Sequence, residues 1–148
     1  DVIEKLYVAG KAGVKIKLIV RGINSIIPQI SGFSDNIEAI SIVDKFLEHT
    51  RIFSFYNDGK PQVFIGSGDL MTRNLDFRIE VITPIFDEKI KKQLLKILEL
   101  QWSDTVRARL YNDIQNNPFR KMPLNEKPIR SQDAIYDFWK DFSVKKKR

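Results

Sequence analysis

The 148-residue sequence contains no cysteine, a single histidine at His49, and only two methionines and two tryptophans. Without cysteine there is no disulfide and no thiolate metal site, and one imidazole cannot make the histidine cluster that zinc or iron requires. A reducing cytoplasm fits this composition. No apolar run approaches the roughly 20 residues that span a bilayer. The first 20 residues interrupt their hydrophobics with Asp1, Glu4, Lys5, Lys11, Lys15 and Lys17. Neither a membrane span nor a secretory signal is expected, so any membrane association would be peripheral. A phosphate-binding G-x-x-x-x-G-K-[ST] loop is also missing, and Gly66-Ser67-Gly68 is too short for a nucleotide fingerprint. Asp35, Asp44, Asp69 and Asp76 lack a spacing that selects a metal and read as caps or solvated carboxylates.

What is present is the apolar content of one soluble core, with 43% hydrophobic residues and a formal net charge of +6. The length suits a single domain over residues 1–148. The basic excess attracts anions, whether nucleic acid, phosphorylated metabolites, polyphosphate or an acidic partner. Lys145-Lys146-Lys147-Arg148 accounts for part of it as a solvated tail. The chain opens without methionine on a sequence already patterned as a helix, which reads as a piece of a longer protein.

Val2, Leu6 and Ala9 form one stripe of a first helix, ended by Gly10 and Gly13. Val14–Val20 alternates and then becomes continuously apolar, the pattern of a strand covered on both faces, and delivers Arg21 at its carboxyl end. In open α/β sheets ligands bind at that end. Residues 22–37 read as a loop. Ile40, Val43, Phe46 and Leu47 fit one face of a helix whose end delivers His49. Ile52–Tyr56 and Gln62–Gly66 predict a hairpin turned at Asn57-Asp58-Gly59-Lys60. A loop over 67–75 and a strand over 77–82 closed by Pro84 should follow. Asp87 caps a long helix to Trp102, residues 104–112 suggest a short helix, the stretch through Pro128 is irregular, and Ser131 opens a last helix.

Arg21, His49, Arg51, Ser67, Arg73, Asn74 and Glu80 all fall at strand ends or in loops beside predicted strands. If those strands are neighbours, the polar groups meet at one sheet edge. Histidine titrates near neutrality and can accept a phosphoryl group or donate to one, guanidinium groups spread phosphate charge, and a carboxylate can fix an imidazole tautomer. The bland reading of the same residues is a set of solvated helix and loop side chains.

Four ordered segments carry a family resemblance: Leu18–Ile23, Gly32–Ile37, Ser41–His49 and Asp69–Asp76. Together they closely resemble the carboxy-terminal catalytic domain of bacterial polyphosphate kinases, in order and at compatible spacing to about residue 110, with residues 117–148 a less distinctive extension. The resemblance implies an α/β, phospholipase D-like domain with a mixed β-sheet flanked by helices, the second of two such catalytic domains. It further implies reversible transfer of the terminal phosphate of ATP to inorganic polyphosphate through a phosphohistidine carried by the preceding domain. His49 then matches the second active-site histidine, and Arg21 with His49 contacts ATP or ADP. Arg51, Ser67, Arg73 and Asn74 become candidate phosphate or polyphosphate contacts. Mg²⁺ would be ligated outside this chain, and the whole enzyme would be a homo-oligomer.

A looser resemblance to phospholipase D enzymes aligns His49-Thr50-Arg51, Gly66-Ser67 and Glu80 with an H-x-K, Gly-Ser and glutamate order, and assigns Glu80 to orient His49. Arg51 stands where lysine is expected and Tyr56 where an aspartate would fall. Those departures argue against independent hydrolysis. The competing classes are a non-catalytic module that binds polyphosphate or nucleic acid through charge, and a phospholipase D-type phosphodiesterase half-site. The kinase reading involves no specific nucleic acid.

Overall fold

The computed structural model describes residues 1–145, with side chains as far as Phe142. Along it run α1 (Val2–Lys11), β1 (Ile16–Ile19), β2 (Ile37–Ile42), β3 (Ile52–Phe55), β4 (Gln62–Gly66), α2 (Thr72–Phe77), β5 (Ile82–Pro84), α3 (Glu88–Trp102), β6 (Ala108–Tyr111) and α4 (Ser131–Lys145). The class is α/β as expected, but the strands form two three-stranded sheets, β1-β2-β6 and β3-β4-β5, rather than one. In the first, β1 runs parallel and β6 antiparallel to β2, so this sheet is mixed. The second is antiparallel throughout. The chain divides into two compact units, Asp1–Phe46 with the residues from Leu100 onward, and Leu47–Glu99. Among the described residues no helix is long and apolar enough to cross a membrane. The basic tail expected at 145–148 lies outside the residues whose side chains are described.

The first unit is built around β2, where the sequence periodicity suggested a helix from Ile40 to Leu47. The observed element is a central strand, with Ile37, Ala39 and Ile40 buried. The error has a physical origin. Ile40, Val43, Phe46 and Leu47 satisfy helical spacing, whereas Ile37–Ile42 is a strand because it has hydrogen-bonded partners on both sides that a short sequence window cannot see. β-branched Ile37, Ile40 and Ile42 suit the pleated backbone. Helix α1 packs on this strand through Gly10, where a Cβ would sit 3.2 Å from Ile37 Cγ1. Gly10 is thus a contact glycine inside the helix, and the chain reverses at Gly13, whose φ is +93°.

The short helix expected over 104–112 is also absent, and β6 pairs there with β2. The turn before it is organised by Asp104, which is fully buried. Its Oδ1 accepts the backbone N–H groups of Val106, Arg107 and Ala108 at 3.0, 2.6 and 2.9 Å, and its Oδ2 accepts that of Ser131 at 2.7 Å. One carboxylate therefore fixes both the entry to β6 and the start of α4, which begins at Ser131 as expected. Nearby, Arg130 clasps Asp44 with Nε to Oδ2 at 2.8 Å and Nη2 to Oδ1 at 2.5 Å. Arg107 Nε stands 3.7 Å from the same carboxylate, whose side chain is 1% exposed. The Arg130 hydrogen bonds hold Asp44 below the usual carboxylate range, against the opposing effect of burial.

In the second unit the predicted hairpin is present. Asn57, Asp58 and Gly59 all have positive φ, and Asn57 Nδ2 donates to the Lys60 carbonyl at 3.1 Å. The next stretch departs from expectation. Residues 72–77 are helical rather than loop, and the strand expected over 77–82 is confined to Ile82–Pro84. Pro84 closes β5 without cost because this is an edge strand, where a missing N–H is tolerated. Asp87 caps α3 as read from the sequence, its Oδ1 accepting from Lys89 and Ile90 N–H at 2.7 and 3.0 Å.

Two outcomes follow. Asp104→Ala should destabilise the fold by about 3 kcal/mol or more in urea unfolding, because several buried N–H groups lose a charged acceptor; Asp104→Asn should cost less. Asp44 carries a depressed folded pKa, so its contribution is complete above the ordinary value of 3.8 and is lost as the pH falls through it. Thermal unfolding across the acid range should register that loss, and Asp44→Asn should be less stable at neutral pH with a shallower acid dependence. An unchanged acid profile in that variant would rule out the pair as a source of the pH dependence.

Candidate functional site

Sheet membership divides the seven candidate side chains. Arg21 follows β1 of the mixed sheet, whereas His49, Arg51, Ser67, Arg73, Asn74 and Glu80 belong to the unit that contains the antiparallel sheet. The strands that carry them are not neighbours in one sheet, so the shared sheet edge expected from the sequence is not formed.

Arg21 is exposed just past β1, and its backbone is tied down on both sides. Val20 N–H donates to the Ile40 carbonyl at 2.8 Å, and Ser41 Oγ–H donates to the Arg21 carbonyl at 3.4 Å. The Tyr111 hydroxyl of β6 lies 3.4 Å from the carbonyl oxygens of Val20 and Gly22. Tyr111 also walls an open pocket of about 230 Å³ whose uncharged lining mixes Asn24, Asn112, Gln115 and Asn117 with apolar Ile26 and Pro28. Arg21 thus follows an edge strand whose end is held by β2 and reached by the Tyr111 hydroxyl of β6.

In the second unit the sequence 66–81 closes on Glu80. Ser67 Oγ–H donates to Glu80 Oε2 at 2.5 Å, and Asn74 Nδ2 donates to Oε1 at 2.7 Å. The Ser67 hydroxyl oxygen accepts from Val81 N–H at 3.1 Å, and Ser67 N–H donates to the Val81 carbonyl at 3.0 Å. Three of the residues picked out by the sequence therefore form one bonded group. Helix α2 is what makes this possible, since its first turn carries the buried Asn74 inward towards the carboxylate. Asn74 Oδ1 is enclosed and has no partner among the described residues.

Gly68 explains why a glycine stands inside this loop. A Cβ there would come within 2.9 Å of Glu80 Cγ and 3.1 Å of its Cβ and Cδ, so the carboxylate side chain lies directly against the Gly68 backbone. The Ser67 and Asn74 hydrogen bonds hold Glu80 ionised below the ordinary carboxylate range, and the positive charges of Arg78 and Arg51 add to the effect. Each carboxylate oxygen keeps a second lone pair and can still accept an imidazole or other N–H.

Arg51 Nε donates to Asp69 Oδ1 at 3.0 Å, and its Nη1 donates to the His49 carbonyl at 2.9 Å. The His-x-Arg segment is thereby braced against the loop that follows β4, with the His49 residue itself exposed. Arg73 is exposed on α2 and makes no hydrogen bond or ion pair among the described residues. Two participants escaped the sequence reading. Asp69 is grouped by the sequence with carboxylates that read as caps or solvated groups, yet it pairs with Arg51, and Arg78 reads only as a strand residue. Among the described residues no group of three or more His, Cys, Asp or Glu side chains is arranged to hold a metal ion.

Comparison with known proteins gives this geometry its context. The polyphosphate kinase C-terminal domain 2 family matches residues 1–132. A polyphosphate kinase of Vibrio cholerae is 51% identical over 139 residues, covering 94% of this chain and 20% of that protein. The polyphosphate kinase of Escherichia coli K12 is 47% identical over 139 residues, covering 93% of this chain and 20% of that protein. The crystal structure of polyphosphate kinase from Porphyromonas gingivalis superposes with a TM-score of 0.93 at 42% identity, over 97% of this chain and 22% of the other. The chain thus spans about a fifth of the length of the curated relatives it matches. The resemblance read from four sequence segments and the α/β class it implied both stand on these matches, and the chain belongs to the polyphosphate kinase C-terminal domain 2 family.

Proposed function

We propose that this chain is the second phospholipase D-like catalytic domain of a polyphosphate kinase and supplies nucleotide-phosphate contacts for reversible transfer between ATP and inorganic polyphosphate. The observation that carries the reading is the family match over residues 1–132, because it spans Arg21, His49 and the whole group around Glu80. Arg21 and His49 hold the phosphates of ATP or ADP, and Glu80 orients His49 through its remaining lone pairs. The phosphohistidine that accepts the terminal phosphoryl group belongs to the preceding domain of the same polypeptide. Magnesium that accompanies the nucleotide is assigned to side chains outside this chain, and the whole enzyme to the cytoplasm.

The chemistry asked of these residues is positioning and charge stabilisation. In phosphoryl transfer the protein forms few covalent bonds and gains rate by aligning donor and acceptor and by spreading charge over the equatorial oxygens. A guanidinium fixed at a strand end suits that task, since it stays charged at any working pH and presents paired donors. His49 can donate to a bridging or terminal oxygen as charge develops there. Glu80 stays anionic, so it can accept from an N–H brought within its reach. Arg51, already engaged with Asp69, offers its remaining donors to the polyphosphate chain, and exposed Arg73 does the same from α2.

In the full-length enzyme, His49→Ala should lower ATP-to-polyphosphate transfer by about 100-fold or more while circular dichroism stays unchanged, on the scale expected for losing a proton carrier. Retention of most of the activity would leave only a binding module. Glu80→Gln should preserve nucleotide binding but reduce turnover, because the carboxylate proposed to orient His49 is gone. The 148-residue chain on its own should give no labelled polyphosphate from labelled ATP; measurable transfer would remove the need for a phosphohistidine elsewhere.

A further inference from the structure

Helix α2 reverses the usual burial pattern. Of its six residues only Asn74 is buried, at 3% exposure, whereas Leu75 and Phe77 are 49% and 82% exposed. Apolar side chains normally take such a place, and a buried polar one is the informative exception. The amide directs its donor at Glu80, with Nδ2 2.7 Å from Oε1, while its Oδ1 is enclosed without a partner among the described residues. Reversing the amide would set Oδ1 against the ionised carboxylate, so charge fixes this orientation.

An enclosed acceptor without a donor carries a desolvation cost. Leucine has the same branched outline as asparagine and would fill the position without that cost. Packing therefore does not account for the amide at 74, and what the amide does supply is direction. Rotation of a carboxylate about its last torsion is soft. Ser67 Oγ–H donates to Oε2 at 2.5 Å and Asn74 to Oε1, so both oxygens are held and the torsion is fixed. Gly68 closes a third side, since a Cβ there would come within 2.9 Å of Glu80 Cγ. With its plane set, the carboxylate presents its remaining lone pairs in fixed directions. Stability given up for a preset polar group is the mark of a functional position.

We infer that Asn74 is a positioning residue of the kinase reaction, fixing the plane of the Glu80 carboxylate from inside the fold and touching neither nucleotide nor polyphosphate. The inference rests on the proposed function, in which Glu80 orients His49, and it adds the group that orients Glu80. Burial keeps Asn74 from the anionic substrates, since its amide oxygen is enclosed and its nitrogen is committed to the carboxylate. Its effect reaches the reaction as geometry. Without Asn74, Oε2 stays held by Ser67 while Oε1 is free to swing, and the carboxylate keeps its charge but presents its lone pairs elsewhere. Binding of ATP and of polyphosphate is then unaffected, and the loss falls on turnover.

The test compares Asn74→Leu, Glu80→Gln and the double variant in the full-length kinase. Asn74→Leu should lower kcat by at least about tenfold, as expected for a misplaced group, with KM for ATP and for polyphosphate within about twofold of wild type. Its melting temperature should not fall, because the enclosed, unpartnered oxygen is gone. Asn74→Ala repeats the kcat and KM comparison with a smaller side chain in case leucine overpacks the position. In the Glu80→Gln background the Asn74 substitution should change kcat by less than about twofold, since both act through one group. A rise in either KM, a loss that multiplies with that of Glu80→Gln, or a lower melting temperature in both Asn74 variants would each overturn the inference. Lost turnover in Glu80→Gln with none lost in Asn74→Leu rejects the positioning residue alone. Full turnover in Glu80→Gln rejects the role given to Glu80, and the inference with it.

Discussion

The first unit depends on one buried carboxylate. Asp104 has no access to water and compensates for that by accepting four backbone N–H groups, three from the turn into β6 and one from the first residue of α4. A carboxylate so enclosed is tolerable only when its lone pairs are filled, and the backbone groups it fills would otherwise be orphans at a strand entry and a helix start. From this point the consequences run outward. β6 is placed to pair with β2, β2 pairs with β1, and the strand end that carries Arg21 is fixed by hydrogen bonds from Val20 and Ser41 and by the Tyr111 hydroxyl nearby. An arginine offered to any anion gains from this kind of support, because a long side chain on a mobile backbone would spend binding energy on being ordered.

Much of the molecule was legible in the sequence, and the failures share a cause. Helices α1, α3 and α4 and the β3–β4 hairpin carry local signals: an apolar stripe, a capping Asp87, a Ser131 start, an Asn-Asp-Gly turn. These signals act within a few residues, so a linear reading captures them. β2 and β6 are strands because each has a partner distant in sequence, and Ile40–Leu47 satisfies helical spacing equally well when the partner is unknown. The Asp104 network was invisible for the same reason, since its acceptor and the α4 amide lie 27 residues apart. Gly10 illustrates the limit at a single position. Its sequence context suggested a helix end, and its actual constraint is the side chain of Ile37 pressed against it.

The site was legible in part and by two different routes. Ser67, Asn74 and Glu80 were chosen as loop polar residues near strand ends, and they are bonded to one another. Arg21 was chosen for its place after an apolar strand, and it holds that place. What the sequence could not supply was the supporting geometry: the ion pair from Arg51 to Asp69, the glycine that lets Glu80 lie against the backbone, and the Arg78 charge beside it. Composition alone would have offered the basic excess as the functional feature. Geometry shifts attention to a carboxylate kept anionic among cations, which a surface built only for binding anions would not include.

That carboxylate is set by this chain alone. Glu80 is ionised through hydrogen bonds made entirely within residues 67–80, so its charge does not depend on substrate. Fixed charge of this kind needs no reorganisation when the reaction begins, which is where electrostatic catalysis gains over solvent. The same rigidity creates a demand, because a preset charge helps only if its partner arrives in register. Phosphoryl transfer is sensitive to misplacement on the scale of an ångström. Gly68 meets part of that demand by letting the Glu80 side chain lie directly against the backbone.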